Sequence, residues 1–91
     1  MRKSVEVFAN AMEKKLKAND HKRHWGNCEI DYLEKRLEEE YKECTEVLTA
    51  IYTLQNLKWS DDELSHILIE AAKVELVDMA NFCMMIYDNL G

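Results

Sequence analysis

The sequence predicts an all-α protein: a protomer of three helices, one short and two long, assembling with its own copies into a helical bundle. Three observations carry that prediction. The 91 residues contain two glycines and no proline, too little turn-forming material for a β fold. Apolar residues recur at helical spacing through three successive segments. A single domain of this size, residues 1–91, buries only about two-thirds of its unfolded surface, so its own core is marginal. Two long helices and a short one cannot cover each other's apolar faces, and a second copy would complete a bundle of ordinary section.

The first helix is expected over residues 3–18. Val5, Phe8, Ala9, Met12 and Leu16 form its apolar stripe, and Asn19-Asp20 ends it, since both residues favour turns over helix interiors. A polar loop follows over residues 19–27, with His21, Lys22, Arg23, His24, Trp25 and Gly26 at its centre. The second helix begins between Asn27 and Asp31. Asp31 with Glu34 resembles a capping box, and Asn27 is an equally suitable cap. It runs to about Leu57 through Leu33, Leu37, Cys44, Val47, Ile51 and Leu54. Ser60-Asp61-Asp62-Glu63 is a Ser-x-x-Glu capping box for the third helix, with Trp59 placed to staple its start. Nothing breaks that helix before Gly91, so it is about 45 Å long at 1.5 Å per residue.

The net charge of −6 disfavours a nucleic-acid or anionic-membrane partner. The charge is divided unevenly: residues 1–25 hold seven Lys/Arg against three Asp/Glu, and residues 26–91 hold five against fifteen. A basic arm beside an acidic body suits a ligand that carries both metal and phosphate. Two solvated faces of opposite sign are the plainer account. Three cysteines (Cys28, Cys44, Cys83) are an odd number without framework spacing, which points to reduced thiols. No apolar run approaches the ~18 residues of a membrane span, and the charged amino terminus lacks a signal core. A cytoplasmic location is expected.

Function enters through carboxylates on apolar faces. At 100° per residue, Leu64, Leu68, Phe82 and Ile86 fall within about 20° of Glu75, and Asp78 lies one turn on. The second helix repeats the pattern: Glu40 sits centrally among Leu33, Val47 and Ile51, with Glu43 beside it. A buried, unpaired carboxylate costs several kcal/mol or a large pKa shift. Four inward acids therefore call for a cation. Oxygen donors at this density suit Mg²⁺ or Mn²⁺ rather than zinc. A salt-bridge network through Arg36, Lys35, Lys42 or Lys73 would answer the same need. His21, His24 and Cys28 offer three zinc-type ligands without a fourth of suitable spacing.

At these residues the chain resembles the MazG-like, all-α nucleoside triphosphate pyrophosphohydrolases. Glu39-Glu40-Tyr41-Lys42-Glu43 is similar to that family's Glu-Glu-x-x-Glu motif, and Glu75-Leu76-Val77-Asp78 to its Glu-x-x-Asp motif. The stretches Met79-Ala80-Asn81-Phe82 and Met84-Met85-Ile86 look like its compact phage and bacterial members, as does the series Phe8, Met12, Lys15, Leu16, Asn19, Lys22 and Trp25. The resemblance implies hydrolysis of an NTP or dNTP between the α and β phosphates, Mg²⁺ dependence, and assembly as a homodimer or dimer of dimers. Carried over, Glu40, Glu43, Glu75 and Asp78 are the metal ligands. Glu39 orients a water, assists as a base or faces solvent. Lys22, Arg23 or Arg36 would stabilise charge on the triphosphate. Trp25 either stacks on the nucleobase or anchors its loop onto the helices. A non-catalytic module that binds nucleotide or a protein on the same scaffold is the alternative reading.

Overall fold

The computed structural model describes residues 1–20, 24–58 and 62–91. Three α-helices make up nearly all of it: α1 (Lys3–Ala18), α2 (Ile30–Asn56) and α3 (Asp62–Asn89). There is no strand among the described residues. The all-α, three-helix expectation therefore holds, one helix being short and two long. No helix among the described residues is long and apolar enough to cross a membrane.

Helix α1 covers the predicted residues. Glu6 in its first turn and Lys15 and Lys17 in its last complement the helix dipole, and the Asn19 side-chain amide donates to the Lys15 carbonyl at 3.0 Å to close the end. Helix α2 starts within the expected stretch, but on neither of the expected caps. Its N-cap is Glu29, whose extended backbone launches the helix without any side-chain cap bond. Asn27 does not cap because it belongs to a 3₁₀ turn over Trp25–Asn27, closed by the Cys28 amide donating to the Trp25 carbonyl at 2.9 Å. Asp31 lies inside the first turn of α2, where its charge meets the dipole. The Ser60 capping box and Trp59 lie outside the described residues.

Helices α2 and α3 pack along one another, and α1 and the 3₁₀ turn pack on α3. The interior is thin. Among the described residues Leu33, Cys44 and Ala72 are the buried apolar ones, joined by two buried polar ones, Glu40 and Asn81. The α1 stripe is covered only towards its carboxy-terminal end: Met12 and Leu16 are half-buried, whereas Val5 and Phe8 are exposed. The molecule measures 46 × 29 × 24 Å with a radius of gyration of 15.3 Å, against about 12 Å for a compact chain of this length. Its accessible surface is 7164 Å², compared with about 5,500 Å² for a compact monomer of this mass. The excess carries large apolar side chains, among them Tyr41, Tyr52, Ile67 and Tyr87.

Candidate metal centre

Glu40 and Glu43 come from the middle of α2, Glu75 from the middle of α3, and the packing of the two helices brings them together. One carboxylate oxygen from each lies within 4.8 Å of the others. Oxygens sharing one octahedral Mg²⁺ at about 2.1 Å stand about 3.0–4.2 Å apart, so small side-chain adjustments bring this trio onto a single ion. Glu40 is buried, Glu75 half-buried and Glu43 exposed, which gives the cluster a closed side and an open side.

Glu75 carries the strain of the arrangement. Its Oε2 is buried without a hydrogen-bond partner among the described residues. Burial, together with a proton shared towards Glu40 and Glu43 and the repulsion of their charges, pushes its carboxyl up to about 7. Three converging carboxylates, one with an orphaned oxygen and only Glu40 paired with a cation, Arg36, fit a hard divalent ion. The neighbouring Cys44 thiol is pushed up by burial and by the Glu75 charge, so it behaves as a small buried hydrophobe rather than a thiolate ligand.

Arg36 borders the cluster. It hydrogen-bonds Glu39 and reaches Glu40 at 3.1 Å, and its guanidinium lies 5.2 Å from the centre of the Phe82 ring. Burial works against its charge, but the bond to Glu39 and attraction to both acids outweigh it and raise its pKa. Glu39 itself is mostly exposed, its side chain turned to Arg36. Of the candidate ligands, Asp78 is the one outside the trio. It pairs across to α1, with its Oδ1 3.6 Å from Lys15 Nζ.

A cavity of about 690 Å³ lies beside the cluster, lined by all three helices and the 3₁₀ turn, with Glu40 and Asp78 in its wall. This is the size of a small-molecule site. Trp25 lines it and also anchors its turn. The indole Nε1 donates to Asp88 at 2.9 Å, the His24 ring stacks on it at 4.3 Å, and the Asn89 side-chain amide donates to the Trp25 carbonyl at 2.9 Å. Arg36 lines the same cavity. Lys22 and Arg23 lie outside the described residues, as does His21. His24 accepts from the Gly26 amide through Nδ1, and the group that gathers three metal-type ligands among the described residues is the glutamate trio.

Sequence reasoning missed two side chains here. Asn81 is buried at 4% exposure; it lines the cavity and donates to the Met12 carbonyl at 3.3 Å. It lies off the α3 apolar stripe and is covered because α1 crosses a second side of that helix. Lys15 was legible as a charge near the end of the first helix and as part of the family-like series, but without a role; its pairing with Asp78 is a tertiary fact. The chain matches no family model, no curated protein and no solved structure.

Proposed function

We propose that the chain is a divalent-metal-dependent nucleoside triphosphate pyrophosphohydrolase, cleaving an NTP or dNTP between the α and β phosphates to a monophosphate and pyrophosphate. The observation that carries this reading is the convergence of Glu40, Glu43 and Glu75 around a buried, unpartnered Glu75 oxygen. A cavity of nucleotide size, walled by Glu40, Arg36 and Trp25, and the resemblance of the two acidic motifs to the MazG-like family add support.

Glu40, Glu43 and Glu75 would hold the ion, Mg²⁺ or Mn²⁺, with Asp78 close by on α3. A bound ion of this kind neutralises phosphate oxygens and lowers the pKa of a water poised to attack. The protein's own contributions are to orient and to exclude. Arg36, fixed by Glu39, Glu40 and Phe82, is preorganised to meet a phosphate oxygen at little cost in side-chain order. Trp25, held by Asp88 and Asn89, presents an aromatic wall to the base. Glu39 faces solvent and steadies Arg36, a positioning role. The exposed apolar surface supports assembly as a homodimer or dimer of dimers.

The test is release of pyrophosphate from each NTP and dNTP in Mg²⁺. Glu40→Gln or Asp78→Asn is expected to lower turnover by at least about a hundredfold, the scale of removing a group that stabilises transition-state charge. No release from any nucleotide, modified bases included, would overturn the proposal. A second reading, a non-catalytic nucleotide-binding or protein-interaction module, is favoured by one observation: Arg36 already engages Glu39 and Glu40. Tight nucleotide binding without turnover would select it.

A further inference from the structure

Lys15 and Asp78 face each other across the wall of the cavity, one from α1 and one from α3. At 3.6 Å the pair is an electrostatic contact too long for a good hydrogen bond, and the two side chains are 43% and 20% exposed. Such a contact breaks easily. The other cation lining the cavity among the described residues, besides the imidazole of His24, is Arg36, and it is tied to Glu39, Glu40 and Phe82. Lys15 has no comparable ties. It rises on a flexible four-carbon stem from a helix that buries none of its residues. Asp78 in turn is one helical turn beyond Glu75, on the side of α3 that carries the cluster.

We propose that Lys15 and Asp78 form an exchangeable pair. A phosphate-bearing ligand in the cavity draws the Lys15 ammonium to its own oxyanion, and the released Asp78 carboxylate adds its charge to that of Glu40, Glu43 and Glu75. This rests on the metal-centre reading above and goes beyond it. It makes Lys15 a phosphate-binding residue and couples occupation of the cavity to occupation of the glutamate cluster. By linkage the coupling runs both ways: cation at the cluster favours Asp78 turning towards it and leaves Lys15 for the phosphate.

Mn²⁺ titrated into the full chain without nucleotide, followed by the loss of the free-ion electron paramagnetic resonance signal, tests the exchange. Lys15→Met is expected to bind Mn²⁺ about three- to tenfold more tightly than the unaltered chain, and Lys15→Arg to match the unaltered chain. Asp78→Asn alone is expected to change Mn²⁺ affinity less than about twofold, yet to abolish the gain when combined with Lys15→Met. Inorganic triphosphate in the presence of a chelator is expected to bind Lys15→Met at least about fivefold more weakly than Lys15→Arg. An equal gain from Lys15→Met with or without Asp78 would show simple removal of a nearby positive charge and overturn the exchange. So would unchanged Mn²⁺ or triphosphate affinity in Lys15→Met while the unaltered chain binds the ion. Failure of every variant to bind Mn²⁺ overturns the metal centre itself and the exchange with it. Circular dichroism melts of each variant separate these outcomes from loss of fold.

Discussion

At the residue scale the informative group is Glu75. An acid raised from 4.5 to about 7 holds more protons in the folded than in the unfolded state, so the metal-free protein loses stability as pH rises. That contribution is fully present below about pH 4.5 and gone above about pH 7, a difference of about 3 kcal/mol. Urea unfolding in chelator from pH 5 to 8 should show the decline, and Glu75→Gln should flatten it and be the more stable protein at pH 8. The proton belongs to the cluster of three acids, so the slope is a property of Glu40, Glu43 and Glu75 together. Saturating Mg²⁺ at pH 8 should restore stability to the unaltered chain and leave Glu75→Gln nearly unchanged. A pH-independent unfolding energy in the unaltered chain would count against a strained cluster.

At the scale of elements, the helices were legible because their apolar spacing is regular, and so were both ends of α1 and the span of α2, but not the residue that caps α2. The wheel placed Glu40 among Leu33 and Cys44, and all three are buried. It had no means of finding Asn81, whose burial depends on α1 crossing α3 on a second side. Nor could it choose Glu29 as the cap, because the 3₁₀ turn that displaces Asn27 is held by Asp88 and Asn89 from more than sixty residues away. The carboxy-terminal end of α2 carries its own irregularity. Lys58 follows the C-cap Leu57 with φ of 53°, a left-handed conformation in which glycine is the usual residue. Lys58→Gly is expected to raise stability by about 0.5–1 kcal/mol, the relief of a Cβ clash set against the greater freedom of the unfolded chain. Chemical denaturation at pH 7 checks it; destabilisation would mean that the lysine stem makes a contact worth more than the strain.

At the scale of the whole molecule, the elongated shape and thin interior are the dominant facts. The surface exceeds that of a compact monomer by about 1,600 Å², about twice the ~800 Å² that each partner buries in an interface of standard size. The melting temperature is therefore expected to rise by several degrees between about 1 and 100 µM protein, because association stabilises only the folded state. A melting temperature constant across that range would mean that the protomer folds alone. The site was partly visible in the sequence for the same reason that the protomer is thin: carboxylates set into a small apolar face stand out. Its outer wall was not visible, since it is assembled from contacts distant along the chain. Asp88 and Asn89, within three residues of Gly91, brace the aromatic rim from behind. A dye or bulky substitution at Asp88 or Asn89 would thus disturb the mouth of the cavity, whereas Val5 and Val7 on the exposed first turns of α1 offer attachment points away from it.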